Sequence, residues 1–197
     1  MIFARATIFL FALAVATAAS AQTPQRIRGT ITAFDGNVLS VKSRDGKDLK
    51  IELTEKATVA TVKAIKLTEL KPGDYVGATT KKRPDGMLTA LEVHVLPQGV
   101  GEGHREWDLE PETMMTNANI ASMVQSAGGQ DLVLEYKGGS QKIVVPAGTP
   151  VVTAVAADRS ALKPGEYVFL GATADASGKL TMAGRIQVSK DGVKPPQ

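Results

Sequence analysis

The sequence predicts an all-β fold of two tandem small antiparallel barrels, OB-like or SH3-like, produced by an internal duplication and joined by a long connector. Three observations carry this. Apolar and polar residues alternate with a period of two along most of the chain, which places apolar side chains on one face of a sheet. Asp-Gly and Pro-Gly pairs interrupt those runs where strands must reverse. Leu70-Lys71-Pro72-Gly73-Asp74-Tyr75-Val76 returns 92 positions later as Leu162-Lys163-Pro164-Gly165-Glu166-Tyr167-Val168, and self-similarity at a fixed offset marks a repeated unit. Closing such short strands into barrels removes exposed edges. A β-sandwich is the alternative.

In the first repeat, 22–97, strands are predicted over Arg26–Phe34, Asn37–Ser43, Asp48–Leu53, Val59–Val62, Asp74–Thr80 and Met87–Leu96. Asp35-Gly36 and Asp45-Gly46 suit tight hairpins, because glycine accepts a positive φ without a Cβ clash. Pro72-Gly73 suits a type II turn that launches the Tyr75-Val76 strand. The second repeat, 118–190, follows the same order with Ala118–Val124, Asp131–Lys137, Gln141–Val145, Val151–Val155, Glu166–Ala174 and Lys179–Lys190. Helix is expected only as single turns at Leu67–Leu70 and Arg159–Leu162. Tyr75 and Tyr167 are expected to face the barrel cores. Residues 191–197 form a tail.

At the N-terminus, Arg5 precedes the uncharged stretch Ala6–Ala18 and then Ala19-Ser20-Ala21. This is the pattern of a signal peptide over residues 1–21 with cleavage near Ala21, which implies a periplasmic or secreted protein. Beyond it no stretch approaches the roughly 18 apolar residues needed to span a bilayer, so no transmembrane span is expected in the mature chain. The chain has no cysteine, which excludes disulfide staples, thiolate metal sites and lipid attachment at a cysteine. Charge is uneven: Arg26–Leu96 carries 13 basic against 9 acidic residues, the connector Pro97–Asn117 carries 1 against 5, and the remainder 8 against 6.

The succession of a G-x-[IV] strand, the Asp35-Gly36-Asn37-Val38-Leu39-Ser40-Val41 hairpin, a charged second hairpin and the L-K-P-G-[DE]-x-V strand resembles a bacterial family of exported small β-barrel repeat domains of unknown function. The resemblance covers nearly the whole mature chain and implies no activity. Similar chains are sometimes labelled metal ABC transporter permeases. A literal permease needs several membrane spans, and here the one long apolar segment is the predicted signal peptide.

Catalytic signatures are missing: there is no cysteine nucleophile, H-E-x-x-H, G-x-S-x-G or phosphate-binding glycine loop. The expectation is a non-enzyme: an exported, periplasmic, non-catalytic binding or scaffolding module whose partner is an envelope protein or polymer. Nucleic acid is not expected, because aromatic platforms are few. The alternative is a metal-handling accessory protein using His94, Glu102, His104, Glu106 and Asp108, whose nitrogen and oxygen donors suit a divalent ion; no other cofactor is expected. Strand parity sets His94 opposite Leu91, Val93 and Val95, on the solvated side. The acidic connector, 98–117, has no counterpart in either repeat and holds the only tryptophan. Trp107, Met114 and Met115 are its candidate partner-binding residues, either gluing the halves together or meeting a partner.

Overall fold

Glycine-bearing turns and alternating runs produce an all-β structure. A computed structural model describes residues 25–127 and 129–196; the predicted signal peptide lies outside the described residues. The strands are β1 (Gln25–Asp35), β2 (Val38–Ser43), β3 (Asp48–Leu53), β4 (Thr58–Ala64), β5 (Tyr75–Lys82), β6 (Leu88–Val95), β7 (Gly103–Glu106), β8 (Thr113–Ser126), β9 (Gly129–Tyr136), β10 (Gly139–Val145), β11 (Val151–Ala157), β12 (Tyr167–Ala174), β13 (Leu180–Met182) and β14 (Arg185–Val188). Single 3-10 turns occur at Leu67–Glu69 and Arg159–Ala161, where helical turns were expected. The predicted strand Lys179–Lys190 is split into β13 and β14. An additional strand, β7, forms inside the connector, and β8 begins there.

Five strands close a barrel. β1 pairs with β2 and β2 with β3 in antiparallel fashion, β3 pairs parallel to β13, β13 pairs with β12, and β12 returns to β1. Its interior holds Ile31, Leu39, Ile51, Val168, Leu170 and Ile186, each at most 1 % exposed. Five further strands make a second circuit of pairings with the same sense at each step: β8–β9, β9–β10, β10 parallel to β6, β6–β5 and β5–β8. A second apolar cluster, including Val76, Val93, Ile120, Leu132, Leu134 and Ile143, lies within it.

The expectation that 22–97 and 118–190 each close on themselves does not match these pairings. The first barrel takes β1–β3 from the N-terminal half and β12–β13 from the C-terminal half. β4 and β11 account for the crossing: they pair antiparallel along Val59↔Ala157 to Ala64↔Val152, while β14 runs parallel to β4 and β11 parallel to β6. Each recurring Lys-Pro-Gly turn docks on the opposite half. Gly73 N donates to Ile120 O at 2.8 Å and Ile120 N to Asp74 O at 2.9 Å; Gly165 N donates to Ile31 O at 2.9 Å and Ile31 N to Glu166 O at 2.8 Å. Gly73 and Gly165 have φ of 95° and 92°, the positive values a type II turn requires at its second central residue.

Exchange of this kind makes the same local contacts as self-closure, so turn chemistry and alternation are equally satisfied by either. Alternation does mislead about solvent on β5, where Tyr75 through Thr80 are all buried. The inward positions are Val76 and Ala78. Tyr75 lies on the opposite face with its hydroxyl 3.4 Å from Val100 O, and Tyr167 is likewise out of register with the core residue Val168, so neither tyrosine faces a core as expected.

Candidate functional site

The connector becomes a strap across the outer face of the first barrel. β7 adds to the edge of β8 with His104 opposite Thr116 and Arg105 opposite Met115. The chain then turns at residues 107–112, closed by Trp107 N donating to Thr113 O at 2.9 Å, with Thr113 Oγ1 2.9 Å from Trp107 O and 2.7 Å from Glu110 O. Glu112 takes φ 65° in this turn, a conformation non-glycine residues seldom adopt. Lys81 Nζ, 2.9 Å from Glu110 Oε1, ties the far end to β5.

Arginines hold the strap to the barrel. The Arg26 guanidinium lies 4.0 Å from the centre of the Trp107 ring, with those of Arg28 and Arg105 at 5.7 and 5.8 Å; a cation over an indole face is attracted by the ring quadrupole. Arg28 also covers Phe169 at 4.8 Å. Arg28 Nη2 donates to Asp108 Oδ1 at 2.9 Å, and Arg26 stands 3.6 Å from Asp108 Oδ2. Arg44 donates to the backbone oxygens of Leu109 at 2.8 Å and Asp108 at 2.5 Å. Burial alone would raise the Asp108 pKa, but the Arg28 hydrogen bond and the charges of Arg28 and Arg26 outweigh it and hold the carboxyl below its usual value. Burial, with Arg26 nearby, pushes Arg105 down.

Trp107 belongs to neither apolar core and is only half-buried. Beside the strap a cleft of about 290 Å³ opens between β1 and the β2–β3 hairpin, lined by Arg26, Arg28, Arg44, Asp45, Lys47 and Asp108 among others. Sequence reasoning overlooked these basic residues, although the close spacing of Arg26 and Arg28 on a predicted strand was the available signal. Of the candidate partner-binding residues, Met115 is only 2 % exposed and is not open to a partner; Met114 is half-buried.

The five candidate metal ligands are dispersed. Among the described residues there is no group of three or more His, Cys, Asp or Glu side chains able to hold a metal. Glu102 Oε1 accepts from Lys137 N at 2.7 Å. His104 Nδ1 lies 2.8 Å from Thr116 Oγ1, and its ring stacks against Tyr136 with centroids 6.5 Å apart. Glu106 is exposed at the end of β7, and Asp108 sits on Arg28.

His94 is 7 % exposed, not on a solvated face as parity suggested. The outer faces of β5, β6 and β8 meet there: Gly77 pairs with both His94 and Asn117, and the bare glycine leaves room for the imidazole. A Cβ at Gly77 would stand 2.3 Å from His94 Nε2 and 2.9 Å from Asn117 Oδ1. His94 Nδ1 and Asn117 Oδ1 are buried without a hydrogen-bond partner. Burial pushes the His94 pKa down to about 4. Nearby, Thr79 Oγ1 donates to Glu92 Oε1 at 2.8 Å, which extends the buried polar seam along β5 and β6.

Comparison with family models, with curated proteins and with solved structures finds no match for this chain. No helix among the described residues is long and apolar enough to cross a membrane.

Proposed function

We propose that the protein is an exported, non-catalytic binding module of the cell envelope, with the strap-covered face of the first barrel as its contact surface. The observation that carries this reading is the position of Trp107. It lies half-buried outside both clusters, stacked on a guanidinium beside an open basic cleft. Exposed aromatic and arginine side chains are the residues that dominate protein recognition.

The architecture supports a duplicated origin, with each circuit an OB-type barrel whose strands are exchanged between the halves. Val76 and Val168 occupy equivalent places, as do His94 opposite Gly77 and Gln187 opposite Phe169. Asn117 and Arg28 complete the two sets, opposite Gly77 and Phe169 respectively. A shared scaffold with different side chains at matched positions suits specialisation of one face for recognition.

Sedimentation of the mature protein with purified envelopes, beside an Arg44→Ala variant, tests the function, because Arg44 belongs to the covered face and lines the cleft. The expected result is co-sedimentation of the native chain and substantial loss in the variant. Equal recovery of both would leave the Arg44 face with no part in binding, and no co-sedimentation would remove the envelope-binding reading.

A further inference from the structure

The strap is held against the barrel in the manner of a bound peptide. Its aromatic ring lies under Arg26, its carboxylate on Arg28, and its backbone oxygens at Asp108 and Leu109 accept from Arg44. Two further observations show an exposed strap lying over a covered and incompletely satisfied seat. The Asp108 side chain is 45 % exposed while its partner Arg28 side chain is 2 % exposed. Arg28 Nε has no hydrogen-bond partner, although a guanidinium offers five donor hydrogens in a fixed fork. The cleft alongside carries Arg26, Arg28, Arg44 and Lys47 against Asp45 and Asp108, an excess of positive charge.

We propose that this cleft docks an acidic, aromatic-bearing peptide segment of a partner protein, and that residues 107–109 are an internal stand-in displaced on binding. The proposal rests on the binding-module reading and names its partner chemistry. A peptide fits better than a bare anion because Arg44 addresses backbone carbonyls and Arg26 an aromatic face, which phosphate or a uronic acid would leave unused. A tethered segment competes at an effective concentration on the order of millimolar. A partner making equal contacts therefore binds the native chain weakly and a strap-disarmed chain more tightly.

The test uses a fluorescently labelled peptide copying residues 105–112, followed by anisotropy with the full mature chain. Its affinity for a Trp107→Ala, Asp108→Asn double variant should exceed that for the native chain by roughly tenfold or more, and adding Arg44→Ala should abolish it. Circular dichroism establishes that the variants are folded; Asp108→Asn alone carries the test if the double variant is not. Absence of binding to a folded strap variant, or equal affinity for native and variant chains, overturns the proposal. So does displacement of the label by inorganic phosphate or polygalacturonate as effectively as by unlabelled peptide. Envelope co-sedimentation lost on Arg44→Ala, together with any of these results, leaves the binding module standing and removes only its peptide specificity.

Discussion

Acidification should destabilise this protein through His94 before its carboxylates titrate. The folded-state pKa is about 4 against an ordinary 6.5, so the unfolded chain takes up a proton that the folded chain refuses. Stability from this group is therefore fully present above pH 6.5 and is lost as the pH falls toward 4. That difference in pKa corresponds to about 3 kcal/mol at the acid limit, with about 2 kcal/mol already lost by pH 5. That is a large share of the roughly 5–15 kcal/mol that holds a typical domain together. Urea unfolding at pH 7.5, 6, 5 and 4, followed by circular dichroism, measures it; the midpoint should fall by about 1–1.5 M across this range for a typical urea slope. The matched comparison is His94→Gln, the residue found as Gln187 at the corresponding register position, which does not titrate. The variant should lose most of the slope between pH 6.5 and 4. Equal slopes in the two proteins would refute the assignment of acid sensitivity to His94.

Gly77→Ala pushes a methyl group against His94 Nε2 and Asn117 Oδ1 and should cost about 1–3 kcal/mol, as overpacking does, read as a melting temperature lower by several degrees; an unchanged value would show that the imidazole yields freely. Gly165→Ala places a Cβ at φ 92° and should cost about 1 kcal/mol in a denaturation curve, with no loss if the turn simply changes type. A protease site inserted between Gln98 and Gly99 allows the exposed connector to be cut. Because β1–β3 close with β12–β13 and β5–β6 with β8–β10, the fragments should co-elute in native size exclusion despite having no disulfide, whereas independent tandem barrels would separate.

Strands were legible where turn chemistry was explicit. Asp48–Leu53 matches β3 throughout, because Asp45-Gly46 fixes where the hairpin reverses and Leu49, Ile51 and Leu53 alternate beyond it. The recurring Pro-Gly turn revealed the conformation of Gly73 and Gly165, but not their partners Ile120 and Ile31, since hydrogen bonding to a distant backbone leaves no local signature. The same limit hid the exchange of strands. On the site, the connector stood out through its composition, and Trp107 lies at its centre. Its clamps, Arg26, Arg28 and Arg44, did not stand out, because an arginine on an alternating strand reads as solvated until a segment 60 to 80 residues away covers it. His94 was misplaced for the converse reason: parity identifies two faces of a strand, and here both are covered.

The interlacing of the two halves also orders events in time. The barrel that begins with β1 is completed only by β12 and by β13, which ends at Met182, so β1 lacks its second neighbour until almost the entire polypeptide is free. Loop closure over such separations makes folding slow. A newly emerging N-terminal half therefore has no stable resting place of its own. The polypeptide thus stays unclosed until its last strands arrive.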